Sequence, residues 1–228
     1  MQQEPVRNSQ VVFGSPTQVS VLETNRVLRN TYMLLSMTLL FSAAMAGVSM
    51  ALKLPYFGPW ITLGVYFGLL FLTAKMRNSA AGIACVFALT GFMGLTLGPL
   101  LSAYMQNMAN GGELVMTALG ATGLIFMALS AYALKSKKDF SFMGGFLMVG
   151  MFGLLGVIVL GLFVDLSAFQ MAISTGIVLL MGAMILFQTS EIIHGGETNY
   201  IMATVGLYVS IYNLFMNLLM LLGIGGEE

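Results

Sequence analysis

The sequence predicts an all-α membrane protein, a bundle of seven transmembrane helices with its amino terminus inside and its carboxyl terminus outside. Three observations carry this reading. Hydrophobic residues make up 58% of the 228 positions and charged residues only 8%, against about 25% charged in a soluble globule, and the mean hydropathy is +0.91. Seven apolar runs succeed one another at about 31–52, 58–74, 80–105, 113–134, 140–164, 168–188 and 200–222, each close to the ~20 residues that a hydrocarbon core requires. The cations are sorted by face. Arg7, Arg26, Arg29, Lys75, Arg77, Lys135, Lys137 and Lys138 fall on the amino-terminal side and Lys53 alone on the other. Cytoplasmic loops retain Lys and Arg, so this split sets the direction, and moving any loop to the other face would spoil it.

The elements follow in order. Residues 1–19 are polar and contain Pro5, Gly14 and Pro16, which reads as a flexible cytoplasmic tail. Ser20 with Glu23 three positions on forms a capping box that starts the first helix at about Val21. Ala44-Met45-Ala46 resembles a signal-peptidase site, but a polar leader of roughly 30 residues and a long apolar run argue for a retained span. The breaks between spans are short: Lys53 to Pro59, Lys75 to Ser79, Gln106 to Gly112, Lys135 to Asp139, Asp165 to Ser167 and Ser190 to Asn199. The membrane domain thus covers 20–222, and 223–228 form a short outer tail. Tyr56, Phe57, Trp60 and Tyr104 fall at outer ends and Tyr132, Phe140 and Tyr200 at inner ends, as interfacial aromatics do.

Within the spans, small residues mark contacts. Gly91, Gly94 and Gly98 in the third run and Gly150, Gly153 and Gly156 in the fifth lie at helical spacing, giving faces where backbones can approach. Gly98-Pro99 is a candidate helix break, because proline removes a backbone hydrogen bond. The freed carbonyl then needs protein or the water of a cavity. The 20 methionines read as soft packing residues. Cys85 is the single cysteine, so no intrachain disulfide is available.

Enzyme motifs are absent: there is no G-x-S-x-G, no H-E-x-x-H and no phosphate-binding G-x-x-x-x-G-K. Neither Ser49 nor Ser210 falls near His194, the one histidine. The acids, Glu4, Glu23, Glu113, Asp139, Asp165, Glu191, Glu197, Glu227 and Glu228, all lie in tails, loops or span ends. No cofactor, metal or nucleic-acid site is therefore expected, and the lipid bilayer is the one certain partner.

Polar chemistry gathers in the last two spans. Gly206, Ser210, Asn213 and Asn217 share one face of the seventh at i, i+4, i+7 and i+11. This stripe either bonds to the sixth span or lines a narrow polar path, because polar groups at membrane depth face other helices or a cavity. Between the two spans, Glu191, His194, Gly195, Gly196 and Glu197 form a candidate cytoplasmic contact loop. Gly195 reads as a C-cap and Thr198 or Asn199 as an N-cap, while His194, which titrates near neutrality, makes a proton-responsive contact the alternative.

Three stretches carry a resemblance: Val27-Leu28-Arg29-Asn30-Thr31-Tyr32 entering the first span, Lys138-Asp139-Phe140-Ser141-Phe142 entering the fifth, and Phe187-Gln188-Thr189 through Phe215. In these the chain resembles the transmembrane Bax-inhibitor-motif (Bax inhibitor-1) family over nearly its whole length, and within it a bacterial branch of FtsH modulators. The resemblance implies a seven-helix bundle with the last helix at its centre. In calcium-leak members, two aspartates on the last two helices pair and gate. The matching positions here are Gln188 and Ser210, neither of which ionises. For the bacterial branch, the resemblance implies a non-enzymatic inner-membrane protein. It would bind an FtsH-type membrane AAA protease with its associated membrane proteins and modulate membrane protein quality control. The alternative it leaves open is a calcium or other ion leak channel with altered pH gating.

Overall fold

The computed structural model describes residues 16–161 and 163–225, with side chains described from Thr24 on. Among these residues the architecture is helical throughout. The helices are α1 (Pro16–Ala51), α2 (Pro59–Met76), α3 (Ala80–Asn107), α4 (Gly111–Ser136), α5 (Gly144–Gly161), α6 (Gln170–His194) and α7 (Tyr200–Gly225), with one-turn 3₁₀ segments at Ser141–Met143 and Ser167–Phe169 before α5 and α6. All seven helices are long and apolar enough to cross a membrane.

Helix ends follow local chemistry. Pro59 opens α2 after Gly58, whose φ of 78° suits glycine, and proline fits a first turn because the N–H it lacks has no partner there. α1 begins at Pro16, upstream of the expected start at Val21. Ser20 therefore lies inside the helix and not at its start. Of the expected tail, residues 1–15 lie outside the described residues. At the other terminus α7 runs on to Gly225, so the tail expected from 223 begins in helix, and 226–228 lie outside the described residues. α6 continues to His194, which puts Glu191 and His194 on its last turn and leaves only Gly195 onward as connection.

The core is built around α7, which packs against α1, α3, α4 and α6. Leu207, Leu214 and Leu219 on it are fully buried. α5 sits at the periphery on α6, with Leu147 its one buried residue and Phe146 and Phe152 exposed. Lipid is as apolar as leucine, so a peripheral span need not bury that surface, and packing geometry takes over as the organising force.

The α1–α3 pair shows that geometry. A Cβ on Gly94 would collide with the Ser42 carbonyl, one on Gly98 with the Ser49 side chain, and one on Gly91 with the Phe41 ring. The α3 glycine face is a contact. Of the α5 triplet only Gly150 meets a neighbour, Leu180, and nothing lies within 4 Å of a Cβ built on Gly153 or Gly156. That triplet is not the contact face its spacing suggests.

α3 also runs unbroken through Pro99. The carbonyl that loses its partner is that of Leu95, four residues back, and the Ser49 hydroxyl of α1 donates to it at 2.8 Å. The anticipated break at Gly98-Pro99 is thus healed by a neighbouring helix. Gly98 lets α1 come close enough to do so.

Candidate functional site

At the centre of the bundle the α6–α7 seam brings Gln188 and Ser210 together. The Ser210 hydroxyl lies 3.2 Å from Gln188 Oε1 and 3.1 Å from the carbonyl of Gly206. Ser210 is buried at 2% exposure. A Cβ on Gly206 would stand 3.1 Å from the Gln188 amide nitrogen, so the glycine makes room for the glutamine. This contact holds two helices without charge, since neither side chain titrates.

The rest of the α7 stripe behaves differently. Asn213 donates its amide to the Val209 carbonyl and Asn217 to the Asn213 carbonyl, both at 2.8 Å. These side chains satisfy themselves on their own helix. Asn217 also borders a cleft of about 390 Å³ between α5, α6 and α7. In its wall Gln170 and Ser174 approach the Met220 sulfur at 3.0 and 3.1 Å.

Sequence reasoning missed the tyrosine lattice beside this seam. Tyr208, 1% exposed, has its hydroxyl 2.6 Å from Ser42 Oγ of α1 and donates to the Thr90 carbonyl of α3 at 3.2 Å. Tyr212, one turn on, meets Thr96 of α3 at 3.2 Å. The available signal was the pair of tyrosines at i and i+4 deep in an apolar run, because a buried phenol needs a partner.

The end of the bundle carrying most cations holds a second constellation. Gly195 caps α6 in the left-handed region at φ 78°. The Gly196 N–H donates to the Glu191 carbonyl at 2.8 Å, which closes a Schellman-type turn. Asn199 is the N-cap of α7: its Oδ1 accepts from the N–H groups of Ile201 and Met202 at 3.0 and 3.1 Å. Its amide donates to the Arg77 carbonyl and Asn78 Oδ1 at 3.0 and 2.9 Å. One residue therefore caps a helix and ties the α2–α3 connection to it. Glu197 turns a carboxylate oxygen back to the Asn199 N–H at 2.7 Å.

His194 links α6 to the end of α4. Nε2 lies 3.1 Å from the Lys137 carbonyl, and Nδ1 lies 2.9 Å from the Ser190 carbonyl and 3.2 Å from Ser190 Oγ. A serine does stand beside the histidine, at i and i+4, and it is Ser190 rather than Ser49 or Ser210. Ser190 is completely buried and its oxygen accepts the Phe140 N–H at 3.0 Å. A nucleophile needs access to substrate and a free proton path, so this pair acts as a staple. Next to it Ser141 donates to Asp139 through both its N–H, at 2.8 Å, and its hydroxyl. The hydroxyl bond first, and the backbone bond second, hold the Asp139 carboxyl below its ordinary value. Among the described residues no three of His, Cys, Asp and Glu assemble as a metal set.

Known proteins place this arrangement. The family described as inhibitor of apoptosis-promoting Bax1 matches residues 24–227. An uncharacterised protein of Pseudomonas aeruginosa is 54% identical over 90% of this chain and 92% of its own length. The protein named modulator of FtsH protease YccA, of Escherichia coli, is 49% identical over 96% of this chain and 99% of its own. The same identity holds for the protein of a second Escherichia coli strain named inner membrane protein YccA. The chain belongs to the Bax inhibitor-1 family, as a multi-pass protein of the bacterial inner membrane.

Proposed function

We propose that this protein binds an FtsH-type membrane AAA protease and modulates its proteolysis of membrane proteins, without catalysing a reaction itself. The observation that carries this is the 49% identity, nearly end to end, with the Escherichia coli protein named as an FtsH modulator. Physical features support it. α1 has 36 residues, roughly 54 Å at helical rise against ~30 Å of hydrocarbon, so its amino-terminal part projects past the membrane with residues 1–15 still to follow. A projecting segment gives an ATP-driven protease something to grip. The α1–α3 contact at Gly94 and Gly98 and the Ser49 bond to Leu95 resist pulling α1 out of the bundle. The protein then occupies the protease as a substrate that is slow to unfold.

The test is affinity purification of FtsH from native membranes with the full chain and with a variant lacking residues 2–15, alongside the lifetime of a known membrane substrate of the protease. Co-purification and a lengthened lifetime with the full chain, both reduced by the deletion, support the whole reading. Co-purification that survives the deletion moves the contact to the bundle. Absence of co-purification overturns the proposal.

A further inference from the structure

Where α1, the end of α4 and the α6–α7 connection meet, the structure forms an open cavity of about 940 Å³, with Arg26 and Lys137 exposed at its rim. Its lining includes Arg26 of α1, Lys137 at the end of α4, Asn25, Asn30 and Thr198 as neutral donors, and Glu197 as the one acid. Among the described residues neither Arg26 nor Lys137 is paired with a carboxylate. Glu197 has one oxygen committed to the Asn199 N–H. Among the described lining residues two cations thus face one acid, and the positive sign prevails.

The cationic wall includes a residue with a strained backbone. Lys137 sits in the left-handed region at φ 49° and ψ 24°, as the C-cap of α4. Glycine takes that conformation freely and a lysine does so at a cost. Strain of this kind persists only where surroundings over-determine it, and it clusters at functional positions. The surroundings here are visible: His194 Nε2 stands on the Lys137 carbonyl at 3.1 Å. With both ring nitrogens engaged, His194 is a positioning residue for Lys137. The other charged groups around it among the described residues are Arg26 across the cavity, Glu197 in the connection, Glu191 on the same turn of α6 with its carboxylate at Ser141, and Asp139 beyond Lys138.

We infer that this cavity is a binding site for a phosphate-bearing anion. Arg26 supplies the planar fork that grips phosphate oxygens and Lys137 the compact charge, with carboxamide and hydroxyl donors at hand to complete the shell. The cavity lies level with the ends of α4 and α6 and the start of α7, which is headgroup depth in a bilayer. An acidic phospholipid headgroup and a soluble phosphoester present the same group to it. The site is independent of the proposed protease contact.

The experiment titrates the purified full chain in neutral detergent with phosphatidylglycerol, with phosphatidylcholine, and with glycerol 3-phosphate in the aqueous phase. Arg26→Gln, Lys137→Gly and, as a control outside the lining, Lys138→Gln are run beside the parent. Lys137→Gly removes the ammonium while relieving the strained turn, so its melting temperature should equal or exceed the parent's and a binding loss cannot be laid to misfolding. Saturable phosphatidylglycerol binding, weakened about tenfold or more by Arg26→Gln and Lys137→Gly and unchanged by Lys138→Gln, supports a lipid headgroup site. The same variant pattern with glycerol 3-phosphate supports the site with a soluble ligand. Absence of saturable binding by either phosphate probe, or an equal loss in Lys138→Gln, overturns the inference.

Discussion

The Ser49 hydroxyl on α1 donates to the Leu95 carbonyl on α3 at 2.8 Å, filling the hydrogen bond that Pro99 leaves vacant. A proline in a transmembrane helix usually frees a carbonyl that water or a kink must deal with. Here a second helix deals with it. Ser49→Ala strips the partner without adding bulk and should lower stability by about 1–2 kcal/mol, between typical interhelical bonds in membranes and an unsatisfied buried carbonyl. Pro99→Ala restores the N–H, so Ser49→Ala in that background should be milder. Thermal unfolding in detergent of the two single variants and the double measures the coupling; strictly additive effects would break the link between Ser49 and Pro99.

Glycine spacing alone does not tell a packed helix face from a lipid-facing one. Gly91, Gly94 and Gly98 and Gly150, Gly153 and Gly156 are read alike from the sequence, yet a Cβ on Gly94 meets the Ser42 backbone and one on Gly153 meets nothing within 4 Å. Gly94→Ala should destabilise by about 1–3 kcal/mol through overpacking. Gly153→Ala should stay within about 0.5 kcal/mol of the parent. Comparable losses for both variants would place α5 deeper in an assembly than this bundle does.

The spans were legible because lipid imposes a length and an apolar composition on every one of them, and each is visible in consecutive residues. Gln188 and Ser210 were legible as positions on facing helices, and the structure sets them 3.2 Å apart. The rest depends on partners distant in sequence. The bond from Ser49 to Leu95, the meeting of Tyr208 with Ser42 and Thr90, and the clasp of His194 on Lys137 join residues that no local periodicity relates. The cap of α6 at Gly195 was legible as well, although the apolar span stops short of it. Gln188 to Glu191 is polar, and polarity reads as a span's end although the helix simply continues past the membrane surface to its glycine cap.

Asn199 offers a separation of two roles in one side chain. Its oxygen caps α7 and its amide nitrogen holds Arg77 and Asn78. Asn199→Ala should lose both and cost about 1–2 kcal/mol. Asn199→Asp keeps an acceptor for the cap and loses the two donors, so it should fall between the parent and Asn199→Ala. Amide exchange in the first turn of α7 should rise in the alanine variant and change little in the aspartate one.

Asp139 gives a pH signature. The two bonds from Ser141 stabilise its charged form and hold its carboxyl below the ordinary 3.8. A depressed carboxyl contributes its stability above the unfolded value and loses it as pH falls through the folded one. Asp139→Asn should therefore melt slightly below the parent at neutral pH, with a constant gap down to about pH 5 that closes at lower pH. A gap that widens on acidification would contradict the assignment.

The contact of Gln188 with Ser210 decides how the bundle responds to protons at its centre. Both side chains keep one charge state from pH 5 to 8, so their bond neither strengthens nor breaks across that range, and no cation is drawn by a carboxylate there. Two carboxylates at the same positions would repel, and one of them would take up a proton at an elevated pH. Purified parent protein in liposomes should show no calcium flux that changes between pH 5 and 8. The double variant Gln188→Asp with Ser210→Asp should gain a pH-dependent flux, because protonation of one aspartate restores a hydrogen bond that closes the seam and its loss reopens it. A parent already passing calcium in a pH-dependent manner would place the conducting path elsewhere in the bundle and shift the functional reading from protease modulation to ion leak.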